Sequence, residues 1–405
     1  LIIDRRADGQ RAFVLQFGNH SVQRIYLDNA ATSFPKPRSV IDAVERGLRD
    51  EGAAEGRSAT RAALRVHEVV ARCRERAARL LGAKQPERII FTFNGTDSLN
   101  LALHGMLRPG DHVVTSAVEH NSVLRPLRNL RDRGVEVSYV AADGEGRVNP
   151  DDVQRLLRKN TRLVALVHAS NVTGTIQPID HVGEIARAAG ALFLVDAAQT
   201  AGHLPIDVSR SPIDLLAAPG HKGLLGPLGT GILYVRPGVE TQLQSVRQGG
   251  TGSHSEDDLQ PERLPDKYES GNQNVPGLFG LEAALAWIEE RTVAELRRHD
   301  RELTQQLLAA LTGIKGLRIY GPQSPDDRVG VVSVTLDGFD PQELATILDT
   351  SFGIETRAGL HCAPGLHRCL GTFDRGGTLR MSVGPFTTEA DIQAVSAAFR
   401  AVATN

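Results

Sequence analysis

The chain has 405 residues, of which 41% are hydrophobic and 23% charged, and its formal net charge is -2 at pH 7. That length supports two or three domains with sizeable cores, and the near-neutral balance excludes the basic excess of a nucleic-acid binder. No apolar run reaches the length of a membrane span, residues 1–24 lack a signal-peptide core, and three unevenly placed cysteines (73, 362 and 369) do not form a disulfide framework, so a reducing, cytoplasmic location is expected.

Residues 1–24 read as an N-terminal extension. Further along, short apolar runs alternate with longer amphipathic ones: RIIFTF then DSLNLALHGML, DHVVTSA then SVLRPLRNLRDRG, VEVSYV then PDDVQRLLRKN. This alternation predicts a sheet with helices packed on it. TRLVALVHAS and GALFLVDAAQ are near-continuous apolar runs, the pattern of strands covered on both faces, and IDHVGEIARAAG between them predicts the crossover helix of a βαβ unit. GILYVR predicts another strand, and the polar, glycine- and proline-bearing stretch over 245–277 is long enough to suggest a functional loop. Helical spacing over 278–314 marks the passage to a second unit, α+β in pattern, built from VGVVSVTL, DPQELATILDTSF, TLRMSVG and TEADIQAVSAAFRAV. The expected division is a large α/β domain over 38–290 with a mostly parallel central sheet, and a smaller α+β domain from 25–37 and 291–405.

One charge stands out in this pattern. The stretch LLAAPGHKGLLGPLGTGILYV, residues 215–235, holds Lys222, one of six lysines in a chain with forty arginines. A lysine flanked by apolar residues and glycine loses hydration, and desolvation disfavours its ammonium form, leaving a nucleophilic amine suited to Schiff-base chemistry. The plainer reading is a side chain that snorkels to solvent. Ligands of open α/β sheets bind beyond the carboxyl ends of the strands, and several polar residues stand at such positions: Asp196 and Gln199 after ALFLV, His168 and Asn171 after LVALV, Glu119, His120 and Asn121 after HVVTSA, and Asn94, Gly95 and Thr96 after IIFTF. The last three could offer free backbone N–H groups to a phosphate. Taken singly, Asp196 and Asn94 read equally well as caps, and His120 as a turn residue.

The ordered set YLDNAAT (26–32), NGTDSLN (94–100), EHNS (119–122), NVTG (171–174), DAAQTAGHLPIDV (196–208), GHK (220–222) and RAGLHCAP (357–364) resembles the class V aminotransferase group of pyridoxal-phosphate enzymes. It is most similar to the cysteine desulfurases, including the branch with selenocysteine lyase activity, and the resemblance covers roughly 25–400. It implies a fold type I transferase, a homodimer, and L-cysteine or L-selenocysteine as substrate, with an unidentified protein taking the sulfur onward. It also implies roles. Lys222 would hold pyridoxal 5'-phosphate as a Schiff base, and Asp196 would pair with the pyridine nitrogen and strengthen the electron sink. Gln199 would bond the phenolic oxygen, His120 would stack on the ring, and Asn171 would lie near its substituents. Thr96, Gly95 and His221 would hold the phosphate. Arg380 would grip the substrate carboxylate in a bidentate fork, with Arg357 as a second cation.

In this reading Cys362 is the nucleophile that takes the substrate sulfur, since thiolate is the competent form, and His361 and Arg357 would favour it. A structural thiol is the alternative for Cys362 and the stronger reading for Cys369. A rival of another class is a zinc-binding interaction protein using His361, Cys362, His367 and Cys369, but C-x4-H-x-C lacks the paired knuckle of such sites, so no metal is expected. GLLGPLGTG fails as a nucleotide loop because its lysine precedes the glycines. Two departures from the family pattern touch the phosphate: Pro219 where a serine is common, and Asn272 in GNQN where a threonine commonly reaches the partner subunit's cofactor.

Overall fold

The computed structural model describes residues 24–55, 60–253, 256 and 258–404, together with the backbone of two antiparallel strands, Ile2–Arg5 and Arg11–Val14. The expected extension over 1–24 therefore lies largely outside the described residues. Among the described residues no helix is long and apolar enough to cross a membrane.

The central sheet has seven strands in the order Ile89–Thr92, Gly231–Val235, Leu215–Pro219, Leu192–Asp196, Thr161–Val167, His112–Ser116 and Glu136–Val140. Gly231–Val235 is antiparallel to both neighbours and the remaining pairs are parallel, so the sheet is mostly parallel, as expected. Successive side chains point to opposite faces of a strand. Val164, Leu166, Phe193 and Val195 accordingly join one apolar core, and Leu163, Ala165, Leu192 and Leu194 join another on the far side. Burial on both faces explains why the sequence runs are near-continuously apolar. The edge strand Glu136–Val140 instead leaves Glu136 and Tyr139 exposed. The crossover helix is Ile179–Ala188, and it links two strands that pair directly.

Leu215–Pro219 is a strand that the pattern did not predict. Its Ala-Ala-Pro tail has weak strand propensity, which full burial between two neighbours overrides. The helical stretch over 278–314 is two helices. Val275–Arg291 packs against Arg38–Arg46 and Arg61–Leu81. The chain then breaks at Thr292, whose φ of 63° ends the first helix and whose hydroxyl accepts the Glu295 N–H to cap the second, Val293–Leu311. That second helix buries Leu303 and Leu307 with Val332, Val334, Leu379 and Phe399 over an antiparallel sheet ordered Leu317–Tyr320, Val331–Leu336, Thr378–Ser382 and Arg357–Gly359.

Residues 25–36 tie the two sheets together. Ile25–Tyr26 pairs with Ile354–Glu355, and the Leu27 carbonyl accepts the Ser382 N–H at 2.7 Å. Farther along, the His221 carbonyl in the other unit accepts the Ser33 N–H at 3.0 Å, the Thr32 and Ser33 hydroxyls at 3.1 Å each, and the Lys36 ammonium at 3.0 Å. The peptide that precedes Lys222 is therefore held from outside its own turn.

Two glycines bring that turn against the one after Leu192–Asp196. Gly202 has φ of 86°, and a Cβ there would collide with the Gly223 carbonyl; a Cβ on Gly223 would collide with the Ala201 carbonyl and the His203 ring. Gly223→Ala is therefore expected to cost about 1–3 kcal/mol, the range for overpacking a tight contact, and to lower the urea midpoint. An unchanged midpoint would contradict so close an approach.

Candidate active site

The carboxyl ends of the central strands open into a cleft lined by Asn94, Gly95, Thr96, His120, Asn171, Asp196, Gln199, His221 and Lys222, among others. All of these but His221 and Lys222 are residues that the sequence placed just after its apolar runs; those two follow Leu215–Pro219, the strand that the pattern did not predict. The fold brings them together because parallel strands all end on one side of the sheet.

Lys222 lies on the turn after Leu215–Pro219, closed by the Gly226 N–H on the Gly220 carbonyl at 2.7 Å and the Leu225 N–H on the Lys222 carbonyl at 2.8 Å. Burial pushes its amine down from 10.5 to about 8, and the Asp196 carboxylate opposes this less strongly. Arg380 and Arg357 add to the lowering. Asp196 ends its strand fully enclosed; burial raises its pKa, while the Ala198 N–H on Oδ1 at 2.9 Å and the Lys222 charge hold it down. Gln199 is fixed by Nε2 donating to the Ala30 carbonyl at 3.0 Å.

His120 is the N-cap of helix Asn121–Arg131. Its Nδ1 accepts the Ser122 N–H at 3.0 Å, which places the proton of the neutral ring on Nε2. Burial, then the charges of Lys222, Arg357 and Arg380, bring its pKa down to about 4, so the ring is neutral near pH 7. Asn94 caps helix Gly95–Met106 by accepting the Asp97 N–H at 2.9 Å. The Gly95 and Thr96 N–H groups precede the first helical bond and face the cleft end of that helix. Gly95 allows this closeness, since a Cβ there would sit 3.1 Å from Pro219 Cδ. Capping and ligand readings of these residues therefore describe one geometry. The His221 ring has a buried Nδ1 without a partner, and burial, then Lys222 and Lys36, lower its pKa to about 4.

Arg380 is 1% exposed in the strand Thr378–Ser382. Its Nη2 donates to Asp28 Oδ1 at 2.5 Å and its Nη1 to the Asn171 carbonyl at 3.0 Å, while Nε is buried with no partner. An unpaired buried donor on a guanidinium suits recognition of a carboxylate. Arg357 stands opposite Arg380 in register on the neighbouring strand. Asn171 also donates Nδ2 to the His361 carbonyl at 2.6 Å, so one residue fixes both Arg380 and the turn that holds Cys362.

Cys362 is partly exposed and lines a second, open cavity that shares Thr96, His120 and Ser122 with the first. One expectation changes on this geometry, that His361 favours the thiolate. His361 does not supply a charge to the thiol: its Nε2 bonds Thr378, and burial holds the imidazole well below its ordinary pKa, so the ring is neutral. His361 and His367 turn to Thr378 and Thr372, and among the described residues no three His, Cys, Asp or Glu side chains gather as a metal site. Asn272 lines a separate cavity with Phe93, Arg247 and Ser270 and does not reach this chain's own cleft.

The sequence flagged Glu119 without a role. It is fully buried between the ends of two central strands, with Oε1 accepting the Ser116 hydroxyl at 2.5 Å and the Val167 N–H at 3.1 Å and with Oε2 unpartnered. Burial raises its pKa to about 8 against those two bonds, and Asp196 adds to the rise. A carboxyl raised in the folded state adds stability that is complete below its unfolded pKa and is lost as pH climbs toward 8. Glu119→Gln should therefore flatten the fall in stability between about pH 5 and 8 that the native chain shows in urea titrations; identical profiles would refute a protonated Glu119. For Lys222, amine-directed labelling of cofactor-free protein should reach half its maximum near pH 8, and a half-maximum near 10.5 would refute the desolvated amine.

The family description Aminotransferase class-V matches residues 25–395. A probable cysteine desulfurase of Methanothermobacter thermautotrophicus is 37% identical over 372 residues, 91% of this chain and 92% of that one. A probable cysteine desulfurase of Halalkalibacterium halodurans is 35% identical over 382 residues, 92% of this chain and 91% of that one. Among solved structures, the apo cysteine desulfurase of Thermococcus onnurineus superposes with a TM-score of 0.88 at 31% identity, covering 94% of this chain and 95% of that one. With this coverage and with a lysine, a buried carboxylate and a buried arginine gathered at the sheet's carboxyl ends, the chain belongs to the class-V aminotransferase family of pyridoxal-phosphate enzymes.

Proposed function

We propose that the chain is a pyridoxal-phosphate-dependent cysteine desulfurase that converts L-cysteine to L-alanine and leaves the sulfur on Cys362 as a persulfide. The observation that carries this reading is the adjacency of two spaces: the cleft of Lys222 and the cavity of Cys362 share the lining residues Thr96, His120 and Ser122, which sets amine and thiol on neighbouring sides of the same residues. The groups present fit pyridoxal phosphate: a desolvated amine for its aldehyde, a buried carboxylate for its ring nitrogen, and helix-start N–H groups beside an unpartnered His221 Nδ1 for its phosphate. When bound, the cofactor supplies an electron sink for the substrate's α-carbon.

The chain's own residues do the rest. Arg380 offers its free Nε–H to the substrate carboxylate while Asp28 and Asn171 hold the guanidinium in place. Lys222, with its lowered pKa, takes the α-proton as an amine and returns one to carbon as an ammonium. His120 keeps a proton on Nε2 and packs its neutral ring into the cleft. The Cys362 sulfur bonds the substrate sulfur as the carbon–sulfur bond breaks, so the products are alanine and one enzyme persulfide. The resemblance further supports a homodimer in which Asn272, which does not line its own chain's cleft, serves the phosphate of a second copy. It also supports the division into a large domain over 38–290 and a small one from 25–37 and 291–405.

Cys362→Ala should bring alanine formation from L-cysteine to background while the visible absorbance of bound pyridoxal phosphate persists. Persulfide mapping after one turnover with L-cysteine or L-selenocysteine should place the chalcogen on Cys362 and not on Cys369. Retained alanine formation in the variant would overturn the assignment.

A further inference from the structure

The cavity beside Cys362 has a volume of about 450 Å³ and opens to solvent, within the range of about 300–1,000 Å³ typical of small-molecule sites. Its walls are two helix stripes. Thr96, Asn100 and His104 recur every four residues on Gly95–Met106, and Asn121, Arg125 and Asn129 do so on Asn121–Arg131. Such spacing puts each set on one face. No aspartate or glutamate lines the space. Arg125 is exposed and makes no ion pair among the described residues, and burial keeps the His104 ring neutral. The lining thus offers one free cation and several amides around the sulfur of Cys362. That chemistry favours a small anion.

We propose that this cavity receives the sulfur acceptor, and that the acceptor it fits is a small thiol carrying a carboxylate, which Arg125 recognises. The inference rests on the desulfurase reading and extends it to the second half of the reaction. The acceptor thiolate bonds the outer sulfur of the Cys362 persulfide, the sulfur–sulfur bond to Cys362 breaks, and its electron pair leaves on Cys362 as a thiolate. The acceptor departs as a persulfide and no oxidant or reductant is consumed.

The test uses holoenzyme loaded by one turnover with L-cysteine and then freed of it, and follows discharge of the persulfide to 3-mercaptopropionate or to neutral 2-mercaptoethanol. Arg125→Gln should slow discharge to the anionic thiol by about two- to five-fold, the scale of an exposed charge pair, and leave the neutral thiol and the loading rate unchanged. Arg125→Glu should slow the anionic thiol further, and raised salt should erase the difference between native enzyme and variant. Equal rates with both thiols in native and variant enzyme would overturn the proposal. So would slower loading with unchanged discharge, which would make the cavity the route of the substrate's carboxylate. Failure of native Cys362 to gain a persulfide would instead remove the desulfurase reading itself.

Discussion

An amine enclosed beside a carboxylate gains attraction and loses hydration, and at Lys222 the loss is the larger effect, leaving a pKa of about 8. The rest of the site is arranged around that imbalance. If Asp196 were close enough to win, the ammonium would persist and neither Schiff-base formation nor proton abstraction could start from it. Arg357 and Arg380 tilt the balance the same way as burial does. Burial first, and then Lys222 with the same two cations, lowers the pKa of His120, so the groups that would touch substrate or cofactor help set one another's protonation.

Position matters as much as protonation, and it is supplied by residues 25–36. This segment donates to the carbonyl of His221, gives the Ala30 carbonyl to Gln199, and sets Asp28 against Arg380. Three groups on two different sheets are thereby referenced to one short stretch of chain. Each bond is worth only about 0.5–1.5 kcal/mol net, or somewhat more where a charge takes part. Their value lies in fixing geometry, since a misplacement of about 1 Å can cost about a hundredfold in rate.

Much of this was legible in the sequence for a physical reason: parallel strands are apolar throughout and end abruptly, so polar residues after ALFLV, LVALV and HVVTSA had to meet at one rim. What stayed hidden has equally physical causes. Leu215–Pro219 is made a strand by its neighbours and not by its own residues. His361 looked like a cation beside a thiol, because adjacency in sequence says nothing about which way a ring turns; the structure spends it on Thr378. The link from Asn171 to both Arg380 and His361 joins positions about 190 and 209 residues apart, with no local signal. Arg125 is one of forty arginines until two helices set it beside Cys362.

The turn that carries Cys362 shows how these pieces converge. His361 and Cys362 have φ of 48° and 58°, a left-handed conformation that costs an L-residue roughly 1–2 kcal/mol each. Neither is glycine, so the turn must be held from outside. Asn171 donates to the His361 carbonyl and the Asn121 N–H donates to the Cys362 carbonyl at 2.7 Å, one from each side of the site. Asn171 comes from the wall that holds Arg380, and Asn121 from the helix whose exposed face bears Arg125. The strained turn therefore sits where the Lys222 cleft and the open cavity adjoin, bonded to both. That placement suits a sulfur atom that must first meet a substrate gripped on one side and later an acceptor arriving from the other.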